Sequence, residues 1–222
     1  MPALLFYYDK RGVGILQDHT HCFTSGRRRG ERVKKILRTG LSALLALLFI
    51  PDSAIAIEKY AFPEQKNIGG YELTLRGSGV LRYMVFIQAY EGALYLQEEK
   101  TADQVLDEKA ARLLLLHYFH AIRSDDFADA TTEMIRKNVS PDRFSALSPK
   151  IEEFNLLYRD IRPGDHYAAA YIPGTGTSLS LNDDLLGTIE GAEFGAAFFS
   201  IWLGGRPIDK TFRDRLLGKG GP

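Results

Sequence analysis

The stretch from Gly77 to Leu96 constrains this chain more than any other: Gly-Ser-Gly-Val-Leu-Arg-Tyr-Met-Val-Phe-Ile-Gln-Ala-Tyr-Glu-Gly-Ala-Leu-Tyr-Leu. After two glycines it is dominated by β-branched, aromatic and aliphatic residues, which predicts a strand. By parity Val80, Met84 and Phe86 share one side, and Leu81, Val85 and Ile87 the other. Both sides are apolar, so burial on both faces is expected. Arg82 falls inside this run. A guanidinium stays protonated and is costly to leave unpaired in an apolar interior. It therefore needs either a structural carboxylate, such as Glu72 or Glu193, or an anionic or carbonyl-bearing ligand held by its planar fork.

The overall charge balance hides a division of the chain. Of 28 basic and 28 acidic residues, the first 56 positions hold nine and four, leaving 19 basic against 24 acidic residues beyond them. A body with that excess of acid lacks the basic footprint of a nucleic-acid-binding protein. The single cysteine, Cys22, also lies in the first segment, so the body can form neither a disulfide framework nor a cysteine metal site. Within residues 1–56, a basic run (Arg27, Arg28, Arg29, Arg32, Lys34, Lys35, Arg38) precedes the apolar stretch Leu41 to Ile50, followed by Ala54-Ile-Ala56. These are the three parts of a secretory signal peptide, and the apolar stretch is shorter than the ~20 residues a spanning helix needs. Residues 1–56 are thus expected to be an extension with a signal peptide cleaved after Ala56. Residues 57–222 form the functional domain, periplasmic or secreted, touching a membrane only through the signal before cleavage.

In the body, Tyr71 to Leu75 alternates as a first strand, with Arg76-Gly-Ser-Gly read as the turn after it. Thr101 to Lys109 reads as a short capped surface helix, and Arg112 to Ile122 as another buried strand. Ser124-Asp-Asp opens a helix to about Asn138, its acids favourably placed in the first turn. Ser148-Pro149 is the expected cap of a second helix through about Arg159. His166–Ile172 and Thr177–Leu181 read as strands joined by Pro173-Gly-Thr-Gly, and Gly187 and Gly191 bracket a brief extended piece. A helix from about Ala192 carries Phe194, Phe198, Ile201 and Trp202, and a short one follows Pro207. Strands, then helices, then a hairpin and more helices predict an α+β fold with helices packed on an antiparallel sheet.

Several candidate motifs reduce to structure. His117 and His120, three apart on a strand, point to opposite faces, so no metal is expected. Gly174-x-Gly176 lies between two strands, with no helix N-terminus to hold a phosphate. Ser178, Ser180, Asp183 and His166 lack the tight strand-to-helix turn that exposes a nucleophile. Arg82 remains, with Tyr90 and Tyr95 downstream.

Two patterns together resemble the bacterial branch of the chalcone isomerase-like family. One is Gly77-x-Gly79-Val-x-Arg82 leading to Tyr90-x-x-Ala-Leu-Tyr95-Leu. The other is Phe199-Ser-Ile-Trp-Leu-Gly204-x-x-Pro207-Ile-Asp-Lys210 with Leu216-Leu-Gly218. The resemblance covers roughly Tyr71 to Gly218. It implies an open-faced β-sandwich, with helices layered on one face of a large antiparallel sheet and a ligand cleft between them. The family holds isomerases that cyclise chalcones and relatives that bind fatty acids. In the enzymes an arginine stabilises the developing enolate-like charge; in the binders an arginine and a tyrosine hold the lipid carboxylate. Arg82 matches that arginine in both roles, catalytic or ligand-binding, and Tyr90 matches the tyrosine. Three other polar positions of the enzyme site fall on Phe127, Met134 and Gly195. Eight residues of straight strand span about 26 Å, so Arg82 and Tyr90 share a ligand only if the chain folds back between them.

The reading from sequence is therefore a secreted protein that binds a hydrophobic small molecule, such as a fatty acid, through a buried Arg82. It needs no cofactor and no metal. The alternatives are an isomerase of the intramolecular lyase type, and a non-catalytic structural or partner-binding protein whose Arg82 is paired internally.

Overall fold

The structure is a computed structural model that describes residues 60–83 and 87–219. The N-terminal extension and the signal peptide expected within it lie outside the described residues. So do Met84, Val85 and Phe86 of the central run.

Seven strands form one antiparallel sheet in sequential order. They are β1 (Gln65–Ile68), β2 (Tyr71–Tyr83), β3 (Ile87–Leu96), β4 (Arg112–Tyr118), β5 (His166–Ile172), β6 (Gly176–Leu181) and β7 (Asp184–Ile189). Four α-helices complete the fold: α1 (Ser124–Asn138), α2 (Pro141–Asn155), α3 (Ala192–Leu203) and α4 (Lys210–Leu216). This is the α+β arrangement expected from the order of the elements. No helix among the described residues is long and apolar enough to cross a membrane.

The helices lie on one face. Strand parity puts Tyr90, Gly92 and Leu94 of β3 on the same side as Arg112, Leu114, Leu116 and Tyr118 of β4, and as Tyr167, Ala169 and Tyr171 of β5. Tyr90 meets α3 through Trp202, Tyr118 meets α1 through Phe127, and Arg112 meets α3 through Phe199. The opposite face is also apolar at its centre, where Leu73, Ala93, Tyr95, Leu113, Leu115 and Ala170 cluster. β3 and β4 are accordingly buried on both sides.

Several boundaries differ from those expected; β7 begins at Asp184 and ends before Gly191, and β4 ends at Tyr118 and not at Ile122. The run Gly77–Leu96 is not one strand, because the chain turns back between Tyr83 and Ile87, which are paired across the β2–β3 ladder. Conversely, Arg76-Gly-Ser-Gly is not a turn, because β2 passes through it. The glycine there serves packing: a Cβ on Gly77 would sit 2.1 Å from the Arg215 carbonyl oxygen of α4. Between Thr101 and Lys109 only Ala102–Gln104 forms a short 3-10 turn. Finally, α2 begins at Pro141 rather than near Ser148. Ser140 caps it, accepting from the Arg143 amide, so an earlier Ser-Pro pair supplies the signal attributed to Ser148-Pro149. Pro149 lies inside the helix.

Candidate functional site

The reversal at Tyr83–Ile87 brings the two residues singled out from sequence together. Leu81 stands opposite Tyr90 and Arg82 opposite Gln88, either side of a bulge. Arg82 and Tyr90 are thus near neighbours across the ladder instead of a strand's length apart. Their environments differ sharply. Arg82 is exposed, which corrects the expectation of a buried arginine at this position. It lies at the outer end of the β2–β3 ladder, where water solvates the charge and no counter-ion is needed.

Tyr90 is 5 % exposed. Its hydroxyl accepts a 2.9 Å hydrogen bond from Trp202 Nε1, and its ring meets Tyr118 at 5.2 Å and Phe212 at 5.6 Å. Tyr118 packs edge-on against Phe127 and Tyr167, and Phe127 stacks on Tyr158 at 5.2 Å. The result is a convergence of phenols between sheet and helices. Burial raises the pKa of Tyr90, Tyr118 and Tyr158, and for Tyr118 the neighbouring phenols of Tyr90, Tyr158 and Tyr167 add to the effect. These hydroxyls are neutral hydrogen-bonding groups at any physiological pH. Tyr158 shares a 2.7 Å hydrogen bond with Thr131. Tyr167 donates to the Arg159 carbonyl and accepts from the Arg159 amide. The Tyr118 hydroxyl has no hydrogen bond among the described residues. Sequence inspection passed over Tyr118, Tyr158 and Tyr167, because isolated tyrosines on separate elements carry no spacing signal.

The buried arginine among the described residues is Arg112, the first residue of β4. It has no exposed surface. Its Nη1 donates to the carbonyls of Val105, Asp107 and Ala110 at 3.0–3.1 Å. Its guanidinium carbon lies over the rings of Tyr171, at 4.2 Å, and Phe199, at 4.8 Å. Desolvation lowers its pKa to about 10, against smaller opposing effects of Tyr171 and Asp107, so it remains a cation at neutral pH. Its position opening the run Arg-Leu-Leu-Leu-Leu is the same kind of signal that drew attention to Arg82.

On the face away from the helices, Glu91 and His117 stand directly opposite each other, 5 % and 6 % exposed. Glu91 Oε1 accepts from the Tyr60 amide at 2.8 Å. His117 Nδ1 approaches it to 3.4 Å without the alignment of a hydrogen bond. Tyr60 stacks on His117 and tilts against His166, fastening the segment before β1 to the sheet. His120 lies outside β4 and is exposed. No group of three His, Cys, Asp or Glu among the described residues is arranged to hold a metal.

The positions matched to the polar groups of the isomerase site hold no polar side chain. Phe127 is part of the aromatic layer, and Met134 is buried on α1. Gly195 lets α3 approach the sheet so closely that a Cβ there would lie 2.7 Å from Tyr171 Cδ2 and 3.0 Å from Thr177 Oγ1.

Comparison with known proteins fits this arrangement. Residues 54–218 match the family model described as chalcone isomerase-like. Among solved structures, a fatty-acid binding protein of Arabidopsis thaliana superposes with a TM-score of 0.57 at 14 % identity, covering 71 % of this chain and 91 % of that one. No curated protein sequence matches the chain.

Proposed function

From the premise that this chain belongs to the chalcone isomerase-like family, we propose that it binds a hydrophobic small molecule with an acidic or carbonyl head, a fatty acid being the simplest. The observation that carries this reading is the layer between sheet and helices. There Tyr118 presents a hydroxyl without a hydrogen bond among the described residues, amid apolar and aromatic side chains and beside the hairpin end that bears Arg82. The fold is shared with a fatty-acid binding protein, and the family match supports a ligand-binding reading. Each methylene buried contributes about 0.8 kcal/mol, so a long acyl chain needs few polar contacts. Arg82, exposed at the end of β2, is the cation an incoming anionic head meets first, and Tyr90 stands next to it inside. The pattern of residues 27–56 supports export to the periplasm or beyond.

A binding role fits better than chalcone-type isomerisation, because Phe127, Met134 and Gly195 offer no polar group to a reacting substrate. The test is native mass spectrometry of the purified protein beside Arg82→Ala. The expected result is an added mass on the wild type, identified after extraction as a long-chain acid or carbonyl compound, and slower uptake of added acid by the variant. A wild type without adduct that also takes up no added fatty acid would overturn the reading.

A further inference from the structure

We propose that Arg112 is an internal anion site and, resting on the binding reading above, that it receives the carboxylate head of the ligand. Three features of the guanidinium converge on this. Its central carbon lies over the rings of Tyr171 and Phe199, and Nη1 is committed to three backbone carbonyls. What remains is the edge formed by Nε and Nη2, and both nitrogens are buried with no hydrogen-bond partner. These two atoms are neighbours on one side of the guanidinium plane, and their N–H bonds run parallel. That is the side-on fork that matches the two oxygens of a carboxylate.

The energetics point the same way. A buried cation with unsatisfied donors is costly, and buried polar groups left unpaired are uncommon enough to need a reason. Among the described residues Asp107 is the one carboxylate whose charge acts on Arg112, with a smaller effect than burial and Tyr171; its contact with the guanidinium is through its backbone carbonyl. A water molecule would satisfy the donors but leave the charge uncompensated. A carboxylate does both.

The position also suits a ligand with an apolar tail. Arg112 shares the helix-facing row of β4 with Leu114, Leu116 and Tyr118. Six residues of strand separate it from the phenol layer, roughly 20 Å of apolar wall. An acyl chain with its head at Arg112 would extend along that wall toward Tyr118, and Arg82 at the far hairpin end would serve entry rather than final anchoring.

The test compares dodecanoate with 1-dodecanol at pH 8, on wild type and on Arg112→Gln and Arg112→Lys. The wild type is expected to prefer the acid by about tenfold or more, the range of a charge-assisted hydrogen-bonded pair. Arg112→Gln is expected to bring the ratio near one, with Arg112→Lys between. A folded Arg112→Gln that keeps the wild-type preference overturns the proposal. A second arm uses acetate, which has the head without the tail. It should raise the thermal midpoint of the wild type and leave Arg112→Gln unmoved. If acetate acts and dodecanoate does not, the anion site stands and the hydrophobic-ligand reading falls. If neither acts, the site falls. Should Arg112→Gln fail to fold, nitrogen-15 spectra of the wild-type guanidinium groups decide. The buried Nε–H resonance must shift on adding acetate or dodecanoate, and an unmoved resonance overturns the site.

Discussion

Trp202 Nε1 donates to the Tyr90 hydroxyl at 2.9 Å, tying the C-terminal end of α3 to the third strand across the layer where a ligand would lie. Both partners are buried, so neither can exchange this bond for water. Trp202→Phe leaves the Tyr90 oxygen without its donor and is expected to cost about 1–3 kcal/mol. Urea unfolding of both single variants and of the Trp202→Phe/Tyr90→Phe pair checks this. The double variant should cost clearly less than the sum of the singles, since it leaves no orphaned polar atom.

Raised phenol pKa values make a statement about alkaline stability. Burial pushes Tyr95 up to about 12, and raises Tyr90, Tyr118 and Tyr158 as well. A group whose pKa is higher folded than unfolded contributes stability that is complete below its unfolded value and lost as pH rises through the folded one. Stability should therefore be flat with respect to these groups below about pH 10, the ordinary tyrosine value, and fall steeply above it. Absorbance near 295 nm should show these phenols ionising together with unfolding rather than before it. Early, independent ionisation of all the tyrosines would contradict the buried layer.

Gly195 occupies the position where the isomerase resemblance places a hydroxyl. Gly195→Ser is expected to destabilise the fold by about 1–3 kcal/mol through overpacking and to create no cyclase activity, because its Cβ would press on Tyr171 and Thr177. Thermal unfolding and a chalcone assay measure the two halves. A variant as stable as wild type would mean that α3 can lift from the sheet.

Asp209 caps α4, its Oδ1 accepting from the Phe212 amide at 2.6 Å. The same Phe212 ring contacts Tyr90 edge-on at 5.6 Å. Asp209→Ala is expected to cost about 1 kcal/mol, while Asp209→Asn should recover most of it. Fluorescence of Trp202, which reports on Tyr90, should change more in the alanine variant than in the asparagine one.

How far the molecule could be read from its residues depends on the range of the interaction involved. The start of helix α1 was legible because Asp125 and Asp126 lie in its first turn, although Ser124, expected as its cap, is its first residue and Arg123 holds the cap position. The β5–β6 hairpin was legible because Pro173-Gly-Thr-Gly is a local turn signal. Helix α2 was placed late because two Ser-Pro pairs carry the same local chemistry, and only the packing of Leu147, Ile151 and Phe154 selects between them. The reversal between Tyr83 and Ile87 carries no Gly, Pro, Asn or Asp to announce it. Gly77 looked like a turn because its real partner, the Arg215 carbonyl, lies far along the chain.

Local chemistry thus determined by itself the α+β class, most element positions, and the presence of arginines inside apolar runs. Tertiary structure alone decided which arginine is buried. Arg82 and Arg112 sit in equally apolar sequence, but Arg82 falls at the open end of a ladder, within reach of water. Arg112 falls under α3, against Tyr171 and Phe199. Burial is a property of what other parts of the chain cover, and neighbours along the sequence do not specify it.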